Sequence, residues 1–570
     1  MRPVVFDECF GWLHPAAGRR GVVLCSPMGL EAYCTHRAWR ALAKRLAAAG
    51  LPTLRFDYPG TGDSRGGDDD PGRVRAWIDG VHAAVRWITN TLELQEVALV
   101  GARLGAALAA AAAAERGGVD RLVLLAPCSG AAFAAEVRAM ARLAGAPQLD
   151  PDALEFNGFR LTAQTLADLT ALDPARLAAA PAARTLLLAR TDVRGAASLA
   201  GRLSGLGAAV EEEPFADYAA LMRSVERGVV PVAPLERVAA WLAADAPTAR
   251  AEPAPRPAEP ARLALPSAVE TPVLFGPGGG LAGVWSEPAG FAPADRPALL
   301  LLPSGAWHHV GFARLSVEIA RRLAAHGYAS LRMDLAGLGD SASAAGQPDG
   351  LIYRRGSIAD TRAALDWLEA RGRRRCVVLG VCAGAALALH TALEDERVAG
   401  QVMINPGLFT LGDGATAEAL GRDESHPAAF YLAQLGDPAN WPRVVREAAR
   451  RPGRLLDVPV ALLRRVRRRF GGSAPHAAFR RLGARGVRTL LVYSAHDVSL
   501  GELEAHFGPG GAWFAGQPGV RLETLPDADH NLTGGAARDA FHRLLDAYLA
   551  GDPDGDAVGA IDGTPCAERA

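Results

Sequence analysis

The chain repeats itself. RALAKRLAAAGLPTLRFDYPGTGDS (40–64) resembles VEIARRLAAHGYASLRMDLAGLGDS (317–341), pairing Asp57 with Asp334, Gly60 with Gly337 and Ser64 with Ser341 at an offset of 277. VALVGARLGAALA (97–109) matches CVVLGVCAGAALA (376–388) at an offset of 279. Two blocks in one order and nearly one register indicate a duplicated domain, since this period is far too long for a solenoid. Within each half, short apolar runs alternate with segments of helical spacing. In the second half the runs are PALLLLP, YASLRMD, RCVVLG, VAGQVMIN and VRTLLVYS, and the helical segments include RLSVEIARRLAAHG and SIADTRAALDWLEARG. That alternation predicts an α/β fold: two tandem domains, each a mostly parallel sheet flanked by helices.

The boundaries follow from composition. Residues 1–245 form the first domain, and the Pro/Ala-rich stretch 246–268 reads as an extended linker. Residues 269–549 form the second domain, and the polar, Gly-rich 550–570 a flexible tail. The 61 basic and 62 acidic residues leave a net charge of −1, which removes the usual argument for nucleic acid or an anionic membrane as partner. Lys44 is the sole lysine, so the basic complement is arginine and no single arginine carries much weight. Seven cysteines without a CxxC pair argue against a disulfide framework and a zinc site, so no metal or cofactor is expected. The N-terminus lacks the basic region, apolar core and cleavage site of a signal peptide. The most apolar stretch, 97–114, is mostly alanine and contains Arg103. No membrane span and a cytoplasmic setting are the expectations.

The chemistry is in the second half. Gly380-Val381-Cys382-Ala383-Gly384 follows an apolar run and opens a helical one. This is the G-x-nucleophile-x-G elbow of the α/β-hydrolase fold, where the tight turn needs small flanking residues. Asp497 follows 115 residues later, at the end of VRTLLVYS, and His530 another 33 residues on, in DADHNLT. Nucleophile, acid, histidine is that fold's order. In these roles His530 moves the thiol proton, and Asp497 orients the imidazole and stabilises the imidazolium. The Ala383 N–H is the first oxyanion donor, and Gly305 and Ala306, on the loop after LLLLP, supply the second. Bland alternatives stand beside these roles. Cys382 can pack in a tight turn, and His496 or Asp529 can replace the named acid and base. His308 and His309 suit the pocket mouth or the oxyanion loop as substrate-binding residues, and being adjacent they do not readily face one metal. Asp334 and Asp340 suit a structural turn.

The first half keeps the elbow and loses the nucleophile. Its Gly101-Ala102-Arg103-Leu104-Gly105 carries arginine, which is no nucleophile. Asp192 retains the acid, and Tyr218 stands where the histidine belongs. Residues 1–245 therefore read as a degenerate, pseudo-hydrolase domain. Arg103 binds either a substrate carboxylate or phosphate, or makes an ion pair with Asp192, the preferred reading.

These motifs resemble α/β-hydrolases of the serine aminopeptidase-like branch, and more closely the exosortase A system-associated hydrolases. The first half resembles type 1 in SPMGLEAYCTHRAWRALAKRLAAAGLPTLRFDYPGTGDS and EFNGFRLTAQTLADL. The second resembles type 2 in LPSGAWHHVGFARLSVEIARRLAAHGYASLRMDLAGLGDS, the GxCxG elbow and ANWPRVVREAARRPGRLLDVPVALLRRVRRRF. The departures are Ala383, where that family leads one to expect serine, together with Arg103 and Tyr218. The resemblance implies an acyl-thioester substrate, and an acyl carrier protein as a partner.

The offset between halves grows from 279 at the elbow to 305 at the acid, an insertion of 26 residues. This fits a helical lid at about 406–487. It carries Arg464, Arg465, Arg467, Arg468 and Arg469, either a solvated face or a dock for an acidic carrier protein. A cysteine nucleophile forms a thioester that reacts with amines as well as water. The expected activity is cysteine-dependent acyl transfer, as thioesterase or acyltransferase, through an acyl-Cys intermediate. The alternatives are an ester, lactone or carbon–carbon hydrolase, or a non-catalytic acyl-binding scaffold.

Overall fold

The computed structural model describes residues 1–144, 152–192, 196–247, 249, 260–290, 296–344, 346–347, 349–415 and 474–551. Residues 248 and 250–259 of the predicted linker and most of the predicted lid and tail, with the lid arginines Arg464, Arg465, Arg467, Arg468 and Arg469, lie outside them. The described chain divides into two compact units. One is Met1–Cys376 with a short return beginning at Leu411; the other is Val377–Thr410 with the residues from 474 onward.

The first half is α/β. Its strands are β1 (Arg2–Phe6), β2 (Cys9–His14), β3 (Arg20–Cys25), β4 (Thr53–Phe56), β5 (Glu96–Ala102) and β6 (Arg121–Leu125). A small hairpin, β7 (Leu154–Phe156) and β8 (Phe159–Leu161), precedes β9 (Arg184–Ala189) and β10 (Ala209–Pro214). The sheet order is β1-β2-β4-β3-β5-β6-β9-β10, antiparallel only in the β1-β2 and β2-β4 pairs. The parallel strands RGVVLC, EVALVGA, RLVLL and RTLLLA are apolar on both faces because helices cover both. Alternate residues go to opposite cores. Val23, Leu99, Leu122 and Leu187 pack with the helices Arg73–Leu92 and Leu104–Arg116, whereas Val22, Val100, Val123 and Leu186 pack with Leu30–Ala48 and Val232–Ala243. Each fully buried Val or Leu contributes roughly 1.5–3 kcal/mol.

The second half repeats the pattern. In the first unit, β11 (Leu263–Ala264), β12 (Ala268–Phe275), β13 (Leu281–Pro288), β14 (Ala298–Leu302) and β15 (Ser330–Met333) run in the order β11-β12-β13-β15-β14. β11 falls inside the stretch read as linker: Leu263 and Ala264 pair with Glu270 and Val269. A bridge of β16 (Ile352–Arg354) completes this unit. In the second unit, β17 (Cys376–Val381), β18 (Val398–Ile404), β20 (Arg488–Ser494) and β21 (Val520–Leu525) run in that order, whereas the three-residue β19 (Asp413–Ala415), on the return at Leu411, belongs to the first unit and pairs there with β16. β18-β20 and β20-β21 are parallel. Both halves are thus mostly parallel strands flanked by helices.

The duplicated D-x-x-G-x-G-D-S turns are built alike. Asp57 Oδ2 accepts from the Asp63 N–H at 3.0 Å, and Asp334 Oδ2 from the Asp340 N–H at 2.8 Å. Ser64 Oγ donates to Asp57 O and accepts from Phe10 N–H; Ser341 Oγ donates to Asp334 O and accepts from Ala282 N–H. The second glycine wraps the first carboxylate: a Cβ on Gly62 or Gly339 would sit 2.1 or 2.2 Å from it, and both have φ near 50° (49° and 48°).

Within the first unit the two turns exchange partners. Arg55 Nη2 donates to Asp340 at 2.5 Å, and its repeat equivalent Arg332 donates from Nη1 to Asp63 at 2.6 Å. His309 bridges them, with Nδ1 2.9 Å from Asp334 Oδ2 and Nε2 2.7 Å from Asp63 Oδ2. Arg314 donates to the carbonyls of Gly60, Gly62, Ser64 and Gly66, and Arg40 to those of Gly339 and Ser341. The structural role expected of Asp334 and Asp340 is thereby given a physical form: they are the buried anions of a reciprocal latch.

Candidate active site

The second unit carries an elbow whose backbone is set by its glycines. β17 is buried throughout, Cys382 turns the chain at φ 54° and ψ −113°, and the helix Ala383–Glu394 follows at once. A Cβ on Gly380 would lie 2.2 Å from the Gly384 carbonyl, so only glycine lets strand and helix approach. The Cys382 N–H donates to Ile404 O at 2.9 Å, tying the turn to β18. A positive φ on a non-glycine residue costs of order 1–3 kcal/mol and persists where surroundings enforce it. Cys382 is half-buried. The N–H of Ala383 opens the helix, where no carbonyl one turn earlier can accept it.

His530 Nδ1 lies 2.7 Å from Asp497 Oδ2, and Asp497 Oδ1 accepts from the Ser499 N–H at 2.8 Å. Burial pushes the Asp497 carboxyl up, but hydrogen bonds from His530 and Ser499 bring it below the ordinary carboxylate range. Burial pulls the His530 imidazole down, yet hydrogen bonds to Asp497 and Cys382 hold it at about 10. Cys382, His530 and Asp497 are therefore one hydrogen-bonded set. His496 is exposed, and Asp529 is engaged by the Thr533 N–H at 2.8 Å and its hydroxyl at 2.5 Å.

Sequence reasoning missed Asn405. At the end of β18 it sits at φ 44°, a conformation asparagine tolerates better than most residues. Its Nδ2 donates to Ser494 Oγ and to the His530 carbonyl, both at 2.9 Å, and its Oδ1 accepts from the Ser494 N–H at 2.8 Å. Ser494 Oγ donates in turn to Asp529 O at 2.7 Å. This buried amide joins the loop of the acid to the loop of the histidine. The signal in the sequence was the polar residue ending VMIN, aligned by the 279 offset with Ala126, which keeps the positive φ of 46° without the amide. If His530 serves as the base, Asn405→Ala is expected to lower kcat by roughly 10–100-fold with KM little changed, because small misplacements of such a group are costly. Steady-state kinetics on the folded variant checks this.

The first half keeps the elbow geometry. Arg103 adopts φ 54° and ψ −124° between β5 and Leu104–Arg116. The expected ion pair exists, with a correction: its partners are Glu31, at 2.9 Å from Nε, and Glu136, not Asp192. Asp192 is exposed and paired with Arg190, at 2.8 Å. With its side chain 2% exposed and held by two carboxylates, Arg103 does not present itself to a ligand carboxylate. His309 is likewise occupied at both ring nitrogens by Asp334 and Asp63, whereas His308 lines a cavity of the first unit. Gly305 and Ala306 lie in the first unit on a turn closed by Trp307 N–H to Ser304 O at 2.9 Å, with Gly305 at φ 53°. Among the described residues no cluster of His, Cys, Asp or Glu is placed to hold a metal, and no helix is long and apolar enough to cross a membrane.

The elbow, the strand order and the order of the three side chains define an α/β-hydrolase. The serine aminopeptidase S33 family (Hydrolase_4) matches residues 14–207 and 295–418, more than half the chain, and the protein belongs to that family. No curated protein matches the sequence. Similar solved structures include the ferulic acid complex of Est1E from Butyrivibrio proteoclasticus, 18% identical over 43% of this chain and 96% of that one, with a TM-score of 0.32. An α-β serine hydrolase homologue from Coxiella burnetii is 13% identical over 52% of this chain and 98% of its own (TM-score 0.29). The monoacylglycerol lipase of Paleococcus ferrophilus is 18% identical over 41% and 98% (TM-score 0.30).

Proposed function

We propose that this hydrolase-family protein is a cysteine-dependent acyl-transfer enzyme, a thioesterase or acyltransferase, acting on an activated acyl thioester. The observation that carries the reading is His530 hydrogen-bonded at once to Asp497 and Cys382. The thiol's proton already rests on the imidazole, so Cys382 stands as the thiolate of an ion pair with His530, and that thiolate attacks the acyl carbonyl, with the oxyanion facing the Ala383 N–H. The donor's C–S bond then breaks, its thiolate takes the proton from His530, and an acyl-Cys382 thioester remains. Water or an amine, deprotonated by His530, releases the acyl group and restores the ion pair. Coenzyme A or an acyl carrier protein is the proposed carrier of the donor, and a cytoplasmic setting suits a free thiol nucleophile.

Intact-protein mass after mixing with octanoyl-N-acetylcysteamine tests the reading. The unmodified protein should gain one octanoyl group and Cys382→Ala none, and a chase with water or an amine separates hydrolysis from transfer. No adduct and no turnover would leave the scaffold reading in its place.

The electrostatics predict a pH signature. His530 stays protonated from neutral pH up to about 10, which stabilises a thiolate beside it and keeps the general acid in place. Alkylation of Cys382 by iodoacetamide at pH 7 is expected to be roughly 10–100-fold slower in His530→Ala. The gap should close as pH rises and the variant's free thiol ionises unaided. Turnover should fall as pH climbs through about 10, where His530 loses its proton.

A further inference from the structure

Two backbone amides on the loop after β14 are left free. The loop turns at Ser304–Trp307, closed by the Trp307 N–H on Ser304 O at 2.9 Å, with Gly305 at φ 53°. Among the described residues neither the Gly305 nor the Ala306 N–H has an acceptor, and both residues are half-buried. Free amides in a tight turn suit an oxyanion donor, provided that the turn is held still.

What holds the turn comes from the first half, within the first unit. The Trp307 indole N–H donates to Glu226 Oε1 at 2.9 Å. Its ring packs on Tyr33 (centroids 4.9 Å, 51° between planes) and on Phe312 (4.4 Å, 44°), in a buried cluster that takes in Val310 and Val317. Trp307 is buried, so its N–H is costly to leave unpaired. The Glu226 segment is itself built. The Gly228 N–H donates to Ser224 O at 2.8 Å, the Arg227 N–H to Ser224 Oγ at 3.0 Å, and Arg37 to Gly228 O. The second half carries a shorter segment at this point of the fold. There residues 531–534 lead from His530 into Gly535–Ala550; here residues 219–231 lead from Tyr218, at the corresponding position, into Val232–Ala243.

We propose that the degenerate half serves catalysis by holding the oxyanion loop: Glu226 is a positioning residue that, through Trp307, fixes the Ser304–Trp307 turn with the Gly305 and Ala306 amides free. The inference rests on the acyl-transfer reading above and gives the first half a part in it. In α/β-hydrolases a loop of this kind supplies the second oxyanion N–H. When Trp307 is loosened the turn drifts, and a displaced donor stabilises the developing oxyanion less, while the thiolate itself is untouched.

Two reactions of Cys382 in the full chain test this. Acylation by octanoyl-N-acetylcysteamine, followed through a single turnover by intact-protein mass, develops an oxyanion; alkylation by iodoacetamide at pH 7, read on the Cys382 peptide, does not. Glu226→Ala and Trp307→Phe, which keeps a ring without the N–H, are each expected to slow acylation by about tenfold or more. Alkylation should stay within about twofold of the parent rate. Combining the two changes should cost little more than either alone, since each removes the same bond. Glu226→Gln keeps an acceptor for the indole and should acylate within about threefold of the parent. If Glu226→Ala fails to fold, Trp307→Phe and Glu226→Gln decide. Unchanged acylation in Trp307→Phe, additive losses in the double variant, or alkylation that falls in step with acylation overturns the inference. A parent protein that takes up no octanoyl group overturns the acyl-transfer reading and this inference with it, whereas a parent and variants that acylate equally overturn this inference alone.

Discussion

Cys382→Ala is expected to lower acyl-thioester turnover by roughly 10⁴-fold or more, the largest effect of any single change in this protein. The loss follows from the division of labour proposed for the elbow. Without a thiol no acyl-enzyme forms, and what remains is the Ala383 N–H, the bound orientation of the donor and water. Those supports alone leave a residual rate of roughly 10³–10⁴ over the uncatalysed reaction in hydrolases of this geometry. KM should change little, because the side chain bonds to the acyl carbon only during reaction. The residues act as one hydrogen-bonded set, so adding His530→Ala to Cys382→Ala should cost almost nothing more. Cys382→Ser keeps the shape and replaces an acidic thiol by a far less acidic hydroxyl beside a histidine that already holds its proton at neutral pH. It should be nearly as impaired. Turnover above a tenth of the parent rate in Cys382→Ala, measured with the same donor, would sink the nucleophile assignment.

Much of this was legible in the sequence because local rules and the fold agree. Strands buried on both faces are continuous apolar runs, so β14, β17, β18 and β20 were visible as such. The elbow announced itself because its glycines have no substitute. Three things were not legible. Asn405 is one polar residue at a strand end, and its role depends on two loops that meet only in three dimensions. Arg103 was given Asp192 as partner by analogy with an acid–nucleophile pair; a long guanidinium instead reaches Glu31 and Glu136, which no spacing marks. The reciprocal exchange of Arg55 and Arg332 was hidden because a duplicated motif reveals equivalence within each copy and not contact between copies.

That exchange leads to the largest expected effect on stability. Asp63→Ala should destabilise the first unit by about 3–5 kcal/mol, read as a lowered unfolding midpoint in heat or urea. Asp63 is buried and accepts at 2.6 Å from Arg332, whose side chain is 0% exposed, and at 2.7 Å from His309. Removing the carboxylate leaves Arg332 with Glu270 as its remaining anion, at 2.8 Å, and that acid is already shared with Arg321 at 2.8 Å. The cost is therefore mainly that of a charge buried with too little compensation. Removing both ends should confirm the cause: Asp63→Ala with Arg332→Met is expected to recover a substantial part of the loss, whereas additive losses would mean that Asp63 acts by packing alone. The same side chain sets a pH response. Despite its burial, the carboxylates of Asp334 and Asp63 raise the His309 imidazole well above its ordinary value of 6.5. A raised folded value means that the stability it contributes is fully present below about 6.5 and is lost as pH rises through the folded value. The parent protein should thus lose stability over that alkaline interval. Asp63→Ala, with His309 left on Asp334 alone, should start lower and lose less, so the gap between the two narrows as pH rises.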